Sequence, residues 1–310
     1  MSKPCISVIC NTYNQERFIG EALDSFLMQE VSVPFEILVH DDASTDHTAE
    51  IIRKYEEQYP DVIKPIYNPI NQYSLKNSIT ANIQIPRARG KYIAFCEGDD
   101  YWSDKNKLQL QYNYMEAHPE ATGCCHAYSM VTMDNQLIEE RFDFSEDCDV
   151  PMKKLIGNQL EVPHYATLFL RKDCIEKMGD RFLGKGCNDM VIRIFCAIHG
   201  KLYYLNRNMS CYRRNVAGSW TETVGKNKEK FKAEQKEYLP FLRKLDEFTN
   251  GIYHEEIIDT IDEREFNIAL LENDYREAIK KKAYRHSSAK RRLYVAIGCV
   301  VPKLISKLRE

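Results

Sequence analysis

The feature that most restricts the fold is an alternation across the first hundred residues. Short apolar runs at 6–10, 35–39, 63–67 and 92–96 are separated by stretches with helical spacing. Continuous apolar runs suit strands buried on both faces, and helices between them supply the crossovers that a parallel sheet requires. Residues 17–29 carry Phe18, Ile19, Leu23, Phe26 and Leu27 near helical spacing. Residues 46–59 follow Ser44, Thr45 and Asp46, all competent helix caps. A polar stretch at 68–76 leads into an expected helix at 77–88, and Gly90 breaks the pattern before the next strand.

Beyond residue 100 the pattern loosens. Helical spacing runs over 104–118 and ends at Pro119; strands are expected at 123–133, 166–170 and 201–205, and a helix at 189–199. This half therefore reads as α+β. From about residue 226 nearly everything favours helix, with Ile257, Ile261, Ile268 and Leu271 on one face. We expect an α/β domain over 1–225, a helical extension over 226–285 and a basic amphipathic tail over 286–310. The tail intersperses Lys290, Arg291, Arg292, Lys303, Lys307 and Arg309 with Leu293, Val295, Val300 and Leu304. It is too short to span a bilayer but suited to lying on an anionic one.

A chain of 310 residues with 44% hydrophobic and 29% charged residues can bury one large core plus a helical appendage. Its net charge of −3 gives no global field for a phosphate backbone, so nucleic acid is not an expected partner. Eleven cysteines, an odd number without CxxC spacing, read as reduced thiols. The first residues lack the shape of a signal peptide, so the cytoplasm is the expected compartment, at the inner face of the plasma membrane if the tail binds there.

In open α/β sheets ligands bind beyond the carboxyl ends of the strands. Those ends are polar here: Asn11, Thr12, Tyr13 and Asn14; then Asp41 and Asp42; then Glu97, Gly98, Asp99 and Asp100. No glycine-rich phosphate loop follows the first strand, which argues against a dinucleotide or P-loop enzyme. Adjacent carboxylates such as Asp99 and Asp100 repel unless compensated, and a hard divalent cation shared with substrate phosphates supplies that compensation. The alternative is that one aspartate caps the next helix and the other is solvated. A metal cluster of His40, Asp41, Asp42, Asp46 and His47 is disfavoured, because His40 and Asp41 fall on opposite faces of a strand.

The segments ISVICNTYNQERFIGEALDSFLMQ, FEILVHDDASTDHT and GKYIAFCEGDDYWSDKNKLQLQ, in this order, resemble the family 2 glycosyltransferases of the GT-A fold. The resemblance covers roughly the first 225 residues. It implies a Rossmann-like nucleotide-diphospho-sugar transferase domain in which Asn11, Thr12 and Tyr13 contact the nucleotide. Asp42 would hydrogen-bond a pyrimidine, which suggests a UDP-sugar, and Lys76 would contact the diphosphate or base unless it is simply solvated. Asp99 would lie near the donor sugar or ribose and also serve the metal, Mg²⁺ or Mn²⁺, for which Asp100 is the direct ligand. Glu97 stands where an aspartate is common.

Further on, GKGCNDMVIRIF resembles the family's ED motif, with Asn188 in place of the glutamate and Asp189 as the implied catalytic base. An inverting transfer needs such a base to take the proton of the attacking hydroxyl. CYRRNVAGSW resembles the loop that closes over the donor, with Asn215 where histidine is common, so that leaving-group contacts shift to Arg213 or Arg214. His164, Tyr165 and Arg171 match a region lining the acceptor side. The implied activity is transfer of a hexosyl or N-acetylhexosaminyl group to a lipid-linked or polysaccharide acceptor, giving a β-linkage. The alternatives are a catalytically silent nucleotide-sugar-binding protein of a polysaccharide assembly system, or a metal-dependent phosphoryl or nucleotidyl transferase.

Overall fold

The computed structural model describes residues 3–157, 163–179, 189–216, 224 and 227–300. The chain divides into two compact units, residues 1–218 and 219–310. In the first, the expected alternation forms β1 (Ile6–Thr12), α1 (Ile19–Leu27), β2 (Phe35–Asp41), α2 (Thr48–Gln58), β3 (Ile63–Tyr67) and β4 (Tyr92–Phe95). Their parallel pairing runs β3-β2-β1-β4. Val8, Ile9, Ile37, Val39, Ile93 and Ala94 are fully buried, as strands covered on both faces require. The expected helix at 77–88 is instead a π-turn, Thr80–Gln84, running into the single turn α3 (Ile85–Arg87). Pro86 follows closely enough to cost that stretch a regular ladder.

The second half of the sheet is mixed. It comprises β5 (Tyr101–Trp102), β6 (Ala121–Val131), β7 (Leu137–Arg141), β8 (Cys148–Asp149), β9 (Phe169–Arg171) and β10 (Lys201–Arg213). Strand β9 lies antiparallel between β4 and β6, while β10 runs parallel to β6 and extends well past the expected 201–205. Helices α4 (Lys107–Ala117), α5 (Met152–Ile156), α6 (Lys172–Glu176) and α7 (Asp189–Ile198) complete the unit. Every cysteine among the described residues is a free thiol.

The second unit holds α8 (Lys228–Phe248), α9 (His254–Leu271), α10 (Tyr275–Ala278), α11 (Lys282–His286) and α12 (Ala289–Val300). Ile257, Ile261 and Ile268 are buried as their spacing implies. The expected tail needs correction over 289–300. These residues are a docked helix, whose Val295 is fully buried in a cluster with Phe266, Tyr275 and Ala278. Gly298 lies so close to the Tyr275 ring that an added Cβ would sit 2.4 Å from it. Residues 301–310 lie outside the described residues. No helix among the described residues is long and apolar enough to cross a membrane.

Candidate active site

The first two strand-end segments are laced to one another. Asn14 N–H donates to Ser44 Oγ (2.9 Å), Gln15 N–H to Thr48 Oγ1 (2.8 Å) and Glu16 N–H to Asp46 Oδ2 (3.0 Å). In return Thr45 N–H donates to Asn14 Oδ1 (2.7 Å) and His47 N–H to Glu16 Oε2 (2.9 Å). Asn14 and Ala43 adopt positive φ to allow this. The polar NTYNQE and DDASTDH stretches thus form one floor at the ends of β1 and β2.

The acidic segment closes onto that floor. Gly98 N–H donates to the Asn11 carbonyl (2.9 Å), and an added Cβ at Gly98 would lie 2.6 Å from Gln15 Oε1 and 2.8 Å from Thr12 Cβ. Only glycine permits that approach. Beside it Asp99 and Asp100 are buried. Burial raises the Asp99 carboxyl, which also accepts a hydrogen bond from Gln15; burial and the adjacent Asp99 charge push Asp100 well up. Beside Gly98, Thr12 Oγ1 and Gln15 Oε1 are buried without a hydrogen-bond partner, as is Asp41 Oδ1 at the end of β2. Buried oxygens left unsatisfied call for a partner, which a water, an ion or a ligand atom can supply.

Asp42 is also buried, and its carboxylate accepts from the backbone N–H groups of Gln72 (2.7 Å) and Tyr73 (3.0 Å). It therefore anchors the loop carrying Lys76, which is exposed and has positive φ. His40 Nε2 lies 3.4 Å from Asp42 Oδ1 and 3.1 Å from Asn68 Nδ2, and burial lowers its pKa. Asn11 Nδ2 donates to Thr80 Oγ1 (3.0 Å), which pairs with Tyr165 OH (3.1 Å). Tyr13 is 46% exposed at the rim.

Arg213 is placed differently from the leaving-group contact expected of it. Its N–H donates to Asp100 Oδ1 (2.9 Å) and its Nη1 to the Asp99 carbonyl (2.6 Å). The remaining donors go to Asn135 Oδ1 and Glu21, and the guanidinium lies 4.6 Å from the Tyr101 ring centroid. With the side chain 1% exposed and four of its five N–H donors used, Arg213 braces the acidic pair. Arg214, half-buried beside it, has its guanidinium 5.8 Å from the Tyr212 ring centroid. Arg171 is likewise a brace, bonded to the carbonyls of Ala121, Met115 and His118. Asp189 is the first residue of α7, with only its backbone described, and Asn188 lies outside the described residues. Asn215 is exposed with positive φ.

No group of three or more His, Cys, Asp or Glu able to hold a metal occurs among the described residues. The donor set still fits a hard divalent cation. Asp99 and Asp100 are two buried oxygen donors whose charges lack full compensation, and such ions are bound through one or two carboxylates with substrate phosphates completing the shell. Sequence reasoning missed Gln15, Glu21, Thr80 and Asn135. Gln15 and Glu21 lie inside the first recognised segment but carry no signal of their partners, and Thr80 and Asn135 announce themselves only through the fold.

The sequence profile of Glycosyl transferase family 2 matches residues 7–179. An uncharacterized protein of Mycobacterium tuberculosis is 32% identical over 217 residues, covering 69% of this chain and 60% of its own. An uncharacterized glycosyltransferase of Nostoc is 29% identical over 224 residues, covering 69% and 66%. The chain thus spans about 60% of the length of the mycobacterial relative it matches. Among solved structures, Staphylococcus aureus TarS 1–349 in complex with UDP-GlcNAc superposes with a TM-score of 0.58 at 16% identity, covering 95% of this chain and 87% of that one. The Pyrobaculum calidifontis mannosyltransferase PcManGT, in complex with GDP-Man and Mn²⁺, gives 0.56 at 16% identity, covering 99% and 84%. These likenesses establish the GT-A fold, with its mixed sheet and flanking helices. With more than half its length matched by the profile and the acidic segment at the strand ends, the chain belongs to glycosyl transferase family 2.

Proposed function

We propose that the protein is an inverting, metal-dependent glycosyltransferase that moves a sugar from a UDP-sugar to an acceptor hydroxyl, giving a β-glycosidic bond. The observation that carries this reading is the buried Asp99–Asp100 pair, with the unsatisfied buried oxygens Thr12 Oγ1 and Gln15 Oε1 beside the neighbouring Gly98. Asn11, Thr12 and Tyr13 hold the nucleotide, and Asp42, with lone pairs remaining, accepts from the uracil N–H while fixing the loop that brings Lys76 near the diphosphate. Asp99 faces the donor sugar. Asp99 and Asp100 hold Mg²⁺ or Mn²⁺, which when bound neutralises the departing diphosphate.

Asp189 takes the proton of the acceptor hydroxyl as that oxygen attacks the anomeric carbon from the face opposite the diphosphate. Arg214 rather than Arg213 meets the leaving group. Because TarS and PcManGT are named with UDP-GlcNAc and GDP-Man respectively, donor choice is the first matter to test. Incubating the protein and Mn²⁺ with a panel of UDP- and GDP-sugars, then resolving the released nucleotide, should show UDP from one or more donors. Release of GDP alone would overturn the uracil assignment; no nucleotide release with any donor, even after acceptor glycans are added, would overturn the enzymatic reading. A lipid-linked or polysaccharide acceptor and an anionic membrane surface complete the proposal.

A further inference from the structure

A permanent positive charge stands beside the candidate cation site. Arg213 donates Nη1 to the Asp99 carbonyl (2.6 Å) and its backbone N–H to Asp100 Oδ1 (2.9 Å), and a guanidinium does not give up its proton inside a protein. Held one hydrogen bond from the acidic pair and 1% exposed, that charge repels a divalent cation with little screening by solvent. Arg213 therefore braces the pair but works against the ion the pair would bind.

The far side of the guanidinium is closed by two residues remote in sequence. Nη2 donates to the Glu21 carboxylate on α1 and to Asn135 Oδ1 (2.9 Å), and Nε donates to Asn135 Oδ1 (3.2 Å). Asn135 Nδ2 in turn donates to Glu21 Oε1 (3.0 Å) and Oε2 (3.1 Å), so each of the three side chains is bonded to the other two. The turn between β6 and β7 places Asn135 there. Thr132 N–H donates to the Gln136 carbonyl (2.9 Å) and Asn135 N–H to the Thr132 carbonyl (3.1 Å), with Asn135 in the left-handed region that asparagine tolerates. Asp134 of the same turn lies 3.5 Å from Arg17, which ties the tip to the chain entering α1.

Holding Arg213 requires only oxygen acceptors, and a neutral side chain could supply them. Glu21 supplies a full charge instead. Its side chain is 41% exposed, so the carboxylate stays in contact with water while it offsets a charge that is not. We propose that Glu21 is a positioning residue for the acidic pair that sets its affinity for a divalent cation: the carboxylate offsets the Arg213 charge, and Asn135 fixes the two together, so that Asp99 and Asp100 are braced without repelling the ion. This rests on the metal-dependent reading above and names a residue that tunes it from outside the site.

The test is Mn²⁺ binding to the full chain with UDP, read from the electron paramagnetic resonance signal of free Mn²⁺ and corrected for Mn²⁺ held by UDP alone. Glu21→Gln keeps the shape and removes the charge, so affinity should fall about three- to tenfold, the size expected of one partly exposed charge acting on a divalent ion. The fall should shrink at high salt. Adding Asn135→Asp to Glu21→Gln returns a charge to the same three side chains with the bonding roles exchanged, and should restore affinity to within about twofold of the wild type. Asn135→Asp alone should bind Mn²⁺ at least as tightly as the wild type. A role in shape alone predicts instead that the double variant is the weakest of the set. The proposal is overturned if folded Glu21→Gln binds Mn²⁺ as tightly as the wild type, if the double variant binds no better than Glu21→Gln, or if Asn135→Asp weakens binding. Should Glu21→Gln not fold, the other two variants still decide the matter against the wild type. A wild-type protein that binds UDP without retaining Mn²⁺ overturns the metal assignment and this proposal with it, whereas Mn²⁺ binding unchanged by Glu21→Gln leaves that assignment standing and refutes the role of Glu21 alone.

Discussion

Two residues decide most of the chemistry proposed here. Asp189→Asn keeps the shape but removes the base, so turnover should fall by about two to four powers of ten with UDP affinity nearly unchanged. Steady-state kinetics beside UDP titration checks this, and a matching fall in UDP affinity would place Asp189 at the nucleotide instead. Gly98→Ala tests the floor. Its Cβ would enter the space of Gln15 and Thr12, so thermal melting should show a loss of about 1–3 kcal/mol, the usual cost of overpacking, together with weaker UDP binding. At this scale the strand-end segments were legible as contiguous motifs, and the structure lays those of Asn11, Asp42 and Gly98 side by side through Asp42 N–H to the Thr12 carbonyl and Gly98 N–H to the Asn11 carbonyl. Arg213 was not. Its partners Glu21 and Asn135 are separated from it by 192 and 78 positions, and local sequence carries no trace of such pairings.

At the scale of elements, strands covered on both faces were readable and those with polar edges were not. The strand expected at 201–205 is followed by the polar Asn206, Arg207 and Asn208. It continues because Arg207 binds Asp104, Asn206 binds Ser145 and Asp147, and Asn208 binds Ser129 and Glu140, with register shifts absorbing the interruption. Strand β7 was missed because its residues are exposed along nearly their whole length, leaving no alternation to detect. Helix α4 carries a further surprise. Lys107 at its start is fully buried, donates to Gln111 Oε1 (2.7 Å) and lies 4.2 Å from the Trp102 ring centroid. Gln111 donates to the Thr167 carbonyl (2.9 Å), so the lysine links Trp102 of β5 to the turn after His164. Burial lowers its pKa from 10.5 to about 7. Between those values the folded state binds fewer protons than the unfolded one, so this group makes stability rise with pH, by up to about 1.4 kcal/mol per pH unit. Denaturant unfolding from pH 6 to 10 should show that rise in the wild type relative to Lys107→Met. Parallel profiles would mean that Lys107 keeps its ordinary pKa.

For the molecule as a whole, the helical unit bears on where the proposed transfer would take place. The sequence reading set a basic tail apart at 286–310, yet α12 closes the cluster around Phe266 and Tyr275, so cutting after residue 285 would expose core. The basic groups remain available: Lys290 and Arg292 are exposed, as are Leu293 and Val300 on the same helix. The full chain should therefore sediment with anionic vesicles at low salt and be released at high salt, because screening shortens such attractions. Reversing Lys290, Arg292, Lys303 and Lys307 to glutamate should abolish sedimentation while leaving UDP binding intact; sedimentation unchanged by the reversal would remove the membrane from the account. The central claim is that the strand ends bind a uridine diphosphate through a metal held by the acidic pair. Calorimetric titration of UDP into the wild-type and Asp100→Ala proteins, each with Mn²⁺ and with chelator, tests it most directly. Metal-dependent binding should appear in the wild type and fall by at least about tenfold in Asp100→Ala, as loss of a charged ligand implies, whereas UDP binding of equal strength with chelator and in Asp100→Ala would contradict it.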